Sequence, residues 1–182
     1  MSVLKGAAAA VFLLFATLVS ASAATPEDTL LLDLATGTVT VELRPDLAPN
    51  HVARIKELVR KGFYDGTPFH RVIAGFMAQG GDPTGTGTGG SGTKLRAEFS
   101  GEPFVRGVVG MARANSPDSA DSQFFIMLGS SPSLDGRYTI VGTVLEGMDL
   151  VDRIKKGDPS DNGIVSKPDK LVRARILADV KK

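Results

Sequence analysis

The sequence of 182 residues contains no cysteine and no tryptophan, and it has only two histidines. Without cysteine the chain can form no disulfide, and it has no thiolate nucleophile or Cys-type metal ligand. The histidines, His51 and His70, are too few for a zinc site of three or four ligands. An excess of charge of one sign is also missing, because 21 basic residues face 20 acidic ones. We therefore expect no metal, no cofactor, and no nucleic acid as a partner.

Long apolar runs are scarce as well, and the clearest one lies at the start of the chain. It extends from Ala7 to Val19, with Lys5 before it and small residues after it. The run is shorter than the roughly 20 residues of a membrane-spanning helix. This pattern predicts a secretory signal peptide over residues 1–24, cleaved after Ala23 or Ala24. An uncleaved membrane anchor is the alternative interpretation.

The rest of the chain, residues 25–182, shows no linker and no internal repeat, which predicts one domain. After cleavage the formal net charge falls from +1 to 0, because the removed segment carries one lysine and no acid. We expect an exported protein, periplasmic if the source is Gram-negative, that does not associate with the membrane after cleavage. No interface signature stands out, so we expect a monomer.

Short apolar segments with strand-like composition recur along this domain. They cover residues 29–34, 38–43, 69–77, 105–111, 123–128, 138–144 and 171–180. Helical spacing of apolar residues follows Asn50, a candidate N-cap, and Gly62 is suited to end that helix. A second short helix is predicted over 147–156. Many short strands and two short helices predict a mainly antiparallel β fold, and periodicity alone leaves sandwich and barrel open.

Several motifs of other enzyme classes are absent or incomplete. Gly87-x-Gly89-x-x-Gly92 matches the dinucleotide fingerprint in letters, but no helical run follows it. The Walker pattern fails because Thr93 separates the last glycine from Lys94. The chain has no G-x-S-x-G nucleophile elbow. We interpret this glycine-rich stretch as a structural loop.

Four blocks carry the most specific signal. They read F-H-R-V-I-A-G-F-M-A-Q-G-G-D over 69–82, G-V-V-G-M-A-R-A over 107–114, S-Q-F-F-I over 122–126 and L-D-G-R-Y-T-I-V-G over 134–142. In this order and spacing they resemble the cyclophilin family, and the resemblance extends over residues 29–180. Three positions depart from the common family pattern: Ser133 stands where many members have Trp, Tyr138 where many have His, and Arg113 where Asn is common. Because the Trp is missing at Ser133, we expect weak cyclosporin binding.

The resemblance implies a fold and a site. The fold would be an eight-stranded antiparallel β-barrel closed by two α-helices, with the site on its outer face. Arg71 would be the catalytic arginine, with Gln79 beside it. Of the adjacent Phe124 and Phe125, which must face opposite sides of a strand, Phe125 would be the exposed one. The implied substrate-binding residues are Phe76, Met77, Ala112, Arg113 (through its backbone), Gln123, Phe125, Leu134 and Tyr138.

The resemblance also implies peptidyl-prolyl cis/trans isomerisation of unfolded or partly folded, proline-containing polypeptides. A peptide bond resists rotation by about 18–20 kcal/mol because of its double-bond character. Rotation leaves a lone pair on the prolyl nitrogen, and a donor aimed at it favours the twisted state. An arginine supplies such a donor without transferring a proton. The alternatives are a module that only binds proline-containing segments, and a barrel that stores a small apolar ligand.

Overall fold

The computed structural model describes residues 24–180, so the predicted signal peptide lies outside them except for its last residue. The elements in chain order are β1 (Thr29–Leu34), β2 (Gly37–Leu43), α1 (Pro49–Arg60), β3 (Arg71–Ile73), β4 (Met77–Gly80), β5 (Val108–Met111), β6 (Phe124–Met127), β7 (Ile140–Glu146), α2 (Met148–Arg153) and β8 (Leu171–Ile176). The predicted mainly β fold with two helices is confirmed. The apolar segment 69–77 enters strand structure as predicted, and a turn with Gly75 at φ 71° separates β3 from β4 within it.

The eight strands form one antiparallel sheet in the order β3-β4-β6-β5-β7-β2-β1-β8. The sheet is curled into a half-barrel, and the closed barrel that the resemblance implies is not shown. The free edge of β3 is occupied by the segment 157–165 instead of β8. The Val72 N–H donates to Gly163 O at 2.8 Å, and the Val165 N–H donates to His70 O at 3.0 Å. These bonds satisfy the backbone groups of β3 that a closing strand would otherwise pair.

Helix α1 begins two residues earlier than predicted, and Asn50 is not its N-cap. Pro49 is the first helical residue, and Ala48 before it makes no side-chain cap. The carboxylate of Glu98 takes that role from a distant loop, because it accepts the N–H groups of Asn50 and His51 at 3.1 and 3.0 Å. Gly62 follows the last turn at φ 66°, as predicted for the residue that ends the helix.

Two apolar clusters form on opposite faces of the sheet. The inner cluster contains α1 and residues of every strand, among them Leu32, Val41, Phe69, Phe124 and Val141. It leaves a cavity of only about 20 Å³, lined from α1 and from β1, β2, β5, β6 and β7. That space is close to the limit for one water molecule. The inner cluster is therefore filled, which argues against a stored apolar ligand.

The smaller outer cluster consists of Met77, Phe104, Val108, Phe125, Met127 and Ile140. Phe76, Leu134 and Tyr138 pack against it while partly exposed. Because side chains alternate along β6, Phe124 belongs to the inner cluster and Phe125 to the outer one. Of the helices that the structure describes, none combines the length and apolar character needed to cross a bilayer.

Candidate active site

The β3–β4 hairpin places the two residues predicted to be catalytic opposite each other. Arg71 pairs with Gln79 in the antiparallel register, so their side chains lie on the same face. Nη1 of Arg71 donates a hydrogen bond to Oε1 of Gln79 at 3.2 Å. The short turn around Gly75 makes this local pairing possible.

A directional chain of hydrogen bonds leads away from Arg71. A guanidinium can only donate, so Gln79 must direct its amide oxygen at Arg71 and its NH₂ group away from it. That NH₂ group donates to Oε1 of Gln123 at 2.9 Å. Gln123 in turn donates to the carbonyls of Gly87 and Gly89 at 3.0 and 2.9 Å. The orientation of both glutamine amides thus follows from the charge of Arg71.

The glycine-rich loop forms the far end of this chain, in agreement with its interpretation as structural. Asp82 is fully buried and accepts hydrogen bonds from the N–H groups of Thr84, Gly87 and Gly89 and from the Thr84 hydroxyl. Burial raises the pKa of its carboxyl, but these bonds outweigh burial and hold the pKa below its ordinary value. Gly87 and Gly89 therefore bind Asp82 through their N–H groups and Gln123 through their carbonyls.

A cavity of about 120 Å³ opens beside Arg71 on the outer face of the sheet. Nine of the ten predicted site residues line it, namely Arg71, Phe76, Met77, Gln79, Ala112, Arg113, Phe125, Leu134 and Tyr138. The tenth, Gln123, lines an adjoining groove together with Gly87, Gly89 and Lys94. Residues from four separate blocks of the sequence thus meet at one opening.

The floor of the cavity is aromatic and is more buried than expected. The prediction that Phe125 is exposed is wrong, because the exposure of this residue is only 5%. The reason is Phe104, which stacks on it at 5.7 Å between ring centroids, while Tyr138 meets it edge-on at 5.8 Å. Gly110 leaves room for this stack, since a Cβ there would lie 2.5 Å from Phe125 Cζ. Sequence reasoning missed Phe104 and Gly110, which lie outside the residues assigned to the site by the motifs.

Arg113 contributes differently through its side chain and its backbone. Its guanidinium lies over the Tyr138 ring, 4.5 Å from the centroid, and donates to Arg137 O at 3.1 and 3.2 Å. This contact fixes Tyr138 as a wall of the cavity. Within residues 24–180 the Arg113 N–H and C=O make no hydrogen bond. They are therefore available to an extended peptide, as the backbone role requires.

Asn162 is the site neighbour that sequence reasoning missed most completely. The Asn162–Gly163 pair predicts a turn, which is confirmed. Tertiary structure brings the turn onto Arg71, whose Nε donates to Asn162 O and whose Nη2 donates to Asn162 Oδ1, both at 2.9 Å. The contact spans 91 residues of sequence, and no local signal indicates it.

The electrostatics around Arg71 differ from those of Arg44, Arg54 and Arg175, three other half-buried arginines that each pair with a carboxylate, whereas half-buried Arg113 resembles Arg71 in donating only to neutral oxygens. Arg175, for example, donates from Nε and Nη2 to both oxygens of the Asp33 carboxylate. Arg71 forms no ion pair with any carboxylate of the described part of the chain, and its hydrogen-bond acceptors there are neutral. Burial lowers the pKa of its guanidinium, which nevertheless stays protonated. Its positive charge is thus held in place without being neutralised.

Neither histidine belongs to a metal site in the part of the chain that the structure describes. Residues 24–180 contain no group of three or more His, Cys, Asp or Glu side chains suited to a metal ion. His51 is buried with its Nδ1 2.6 Å from Glu98 Oε2. His70 is buried beside Arg71, and burial lowers the pKa of its imidazole, which favours the neutral ring.

Comparisons with known proteins agree with this geometry. The family model described as "Cyclophilin type peptidyl-prolyl cis-trans isomerase/CLD" matches residues 30–176. A "Probable peptidyl-prolyl cis-trans isomerase" of Brucella suis is 56% identical over 187 aligned positions, which cover 96% of this chain and 95% of the relative. "Peptidyl-prolyl cis-trans isomerase B" of Bacillus subtilis is 44% identical, covering 64% of this chain and 82% of the relative.

Solved structures give the same result. The cyclophilin AquaCyp293 from Hirschia baltica superposes with a TM-score of 0.77 at 32% identity, covering 87% of this chain and 77% of that one. A cyclophilin type isomerase from Cryptosporidium parvum, crystallised in the presence of the dipeptide Ala-Pro, gives a TM-score of 0.73 at 30% identity. That comparison covers 81% of this chain and 98% of the other.

Proposed function

Because the chain belongs to the cyclophilin-type peptidyl-prolyl cis-trans isomerase family and is an isomerase of that class, we propose that it acts through Arg71 on proline-containing exported polypeptides. The single observation that carries the role of Arg71 is its position. It lines a cavity of about 120 Å³ together with apolar and aromatic side chains, and it keeps an uncompensated charge there.

The mechanism follows from the change in the peptide bond as it rotates. In either planar state the nitrogen lone pair is delocalised, and in the twisted state it is localised on the nitrogen. A donor directed at that nitrogen therefore binds the twisted state more strongly than the planar states, and this difference lowers the barrier. No proton needs to leave Arg71, so its high pKa is no obstacle.

The apolar residues of the cavity have a separate role. Phe76, Met77, Phe125 and Leu134 can hold the proline ring, and the free backbone groups of Arg113 can hold the chain beside it. One side of the rotating bond is then fixed while the other side turns. The partly closed cavity, with its aromatic floor, also strengthens the contact between guanidinium and nitrogen.

The test is cis-to-trans isomerisation of a short Ala-Pro-Phe peptide by the natural protein and by Arg71→Ala. Loss of the donor should lower kcat by about 10²–10³-fold, the usual cost of removing one donor to a developing charge. Arg153→Ala, which removes an exposed arginine of α2, is the matched control and should keep full activity. Peptide affinity is measured in parallel, because a module that only binds would keep its affinity and show no turnover even with Arg71 present. Full activity of folded Arg71→Ala would overturn the role proposed for Arg71.

Export is the second part of the proposal. It is supported by the basic start, the apolar run and the small residues that precede Thr25. When the full-length chain is produced in a Gram-negative host, the periplasmic fraction should contain a protein that begins at Ala24 or Thr25, as determined by intact mass. Full-length protein retained in the cytoplasm would contradict it. Enriched co-purification of unfolded exported proteins with the periplasmic form would support a folding role.

A further inference from the structure

The guanidinium of Arg71 is held from one side by a single residue. Nε donates to the backbone carbonyl of Asn162, and Nη2 donates to its side-chain Oδ1, each at 2.9 Å. The two acceptors of one asparagine thus receive two N–H groups of the guanidinium, as a carboxylate does in a bidentate pair. Unlike a carboxylate, both acceptors are neutral.

The backbone around Asn162 is shaped for this contact. Asn162 adopts a left-handed conformation with φ 49° and ψ 30°. On one side of it, Gly163 accepts the Val72 N–H, and further back Gly157 donates to Val72 O at 2.9 Å. A Cβ on Gly157 would overlap Gly163 O, so the two ends of this turn approach as closely as glycine allows. The turn is therefore fastened to β3, the strand that carries Arg71.

A count of donors shows what the contact leaves free. A guanidinium has five N–H donors. Asn162 takes two of them and Gln79 takes one, so one N–H on Nη1 and one on Nη2 remain. These two N–H groups are the donors of Arg71 that are left for a peptide in the cavity.

We propose that Asn162 is a positioning residue for the isomerisation: it orients the Arg71 guanidinium toward the prolyl nitrogen and leaves its charge intact. The inference rests on the role proposed for Arg71 and extends it to a residue 91 positions away. A carboxylate at this place would hold the guanidinium as firmly, but it would offset the charge that stabilises the twisted bond.

A simpler explanation is that asparagine is present only because it tolerates the left-handed conformation. The two explanations differ for Asn162→Gly. Glycine adopts the same backbone conformation without strain and keeps the backbone carbonyl, but it lacks Oδ1. If Asn162 serves the turn alone, glycine should replace it fully.

The experiment measures kcat and the peptide dissociation constant separately, by NMR exchange on an Ala-Pro-Phe peptide. We expect Asn162→Gly to lower kcat about tenfold, less than the roughly 10²-fold that a misplacement by 1 Å can cost, because Asn162 O and Gln79 still hold the guanidinium. Peptide affinity and the urea midpoint should stay close to those of the natural protein. Lys167→Gly is the matched control, since Lys167 is an exposed non-glycine residue at φ 55°, and it should keep the natural kcat.

Two further measurements connect the effect to Arg71. In the Arg71→Ala background, Asn162→Gly should cause no additional loss, because the group that it positions is gone. Rotation of the Arg71 guanidinium, followed by ¹⁵N exchange between Nη1 and Nη2, should be faster in Asn162→Gly than in the natural protein.

The outcomes separate this inference from the proposed function. Full kcat of Asn162→Gly with an inactive Arg71→Ala would overturn the positioning role alone. Full activity of Arg71→Ala would overturn the proposed function, and the positioning role with it. An equal loss in the Arg71→Ala background would also contradict the inference, because Asn162 would then act independently of Arg71.

Discussion

Phe124 and Phe125 are neighbours in β6, and both are less than a tenth exposed, yet they belong to regions with different tasks. Phe124 packs into the inner cluster, edge-on to Tyr64 and Phe69. Phe125 packs into the outer cluster, stacked on Phe104. The inner cluster leaves about 20 Å³ unfilled, whereas the outer one borders a cavity of about 120 Å³. Burial alone therefore does not separate the core from the candidate site in this fold. The outer cluster differs because one side of it borders a cavity that Arg71, which has no carboxylate partner in residues 24–180, also lines.

The largest expected effect is a loss of stability, and it should come from a substitution in the inner cluster. Leu32→Ala, at 2% exposure, should lower the free energy of unfolding by about 2–5 kcal/mol, because the packed surroundings cannot collapse around the lost side chain. Turnover per folded molecule should not change, since Leu32 lies outside the cavity. Urea unfolding and the peptide assay measure the two quantities. Leu145→Ala, at 51% exposure, is the control and should change neither much. A loss of turnover per folded Leu32→Ala molecule would show that the clusters are coupled.

An intermediate effect is expected from overfilling the outer cluster. Gly110→Ala would place a Cβ 2.5 Å from Phe125 Cζ and 2.7 Å from Phe104 Cε1, so the stacked rings must move. Overpacking of this kind costs about 1–3 kcal/mol of stability. The rings border the cavity, so peptide affinity and turnover should fall as well, which NMR titration and the peptide assay would detect. At Gly101 a Cβ meets nothing within 4 Å, and Gly101→Ala should match the natural protein. Unchanged peptide binding by Gly110→Ala would show that the floor of the cavity can adapt.

The smallest expected effect is a pH-dependent change in stability, and it comes from Asp82 in the glycine-rich loop where the hydrogen-bond chain from Arg71 ends. The pKa of Asp82 is lower in the folded protein than its ordinary value, so the folded state binds this proton less readily than the unfolded state. Its contribution to stability is therefore present above the ordinary pKa and is lost as the pH falls through that value toward the lower folded pKa. The slope for one group stays below about 1.4 kcal/mol per pH unit.

Unfolding free energies of the natural protein and of Asp82→Asn, measured between about pH 5 and about pH 3, would test this contribution. The variant is expected to lose stability less steeply with acid, although it starts from a lower value because Asn presents an NH₂ group to donors. Identical slopes would mean that Asp82 does not contribute to the acid sensitivity of the fold.

Local patterns in the sequence by themselves determined much of this protein. Apolar composition placed β1, and alternation of apolar residues placed β2 nearly to the residue, because each strand has side chains in the inner cluster. Four short blocks identified nine residues that line one cavity. These predictions worked because strand and helix periods are local properties of the sequence. The four blocks resemble a known family, so each residue's place within a block indicates its place in that family's fold.

Only the tertiary structure decided the contacts between distant segments. Glu98 caps α1 from 47 residues away, Phe104 buries Phe125, and the turn at Asn162 reaches Arg71 across 91 residues. The same turn segment covers the edge of β3, so the curled sheet ends there instead of continuing to β8. No period or motif encodes such a contact, because it depends on where the chain returns. In this protein the sequence thus predicted which arginine lines the outer cavity, and tertiary structure decided how it is held.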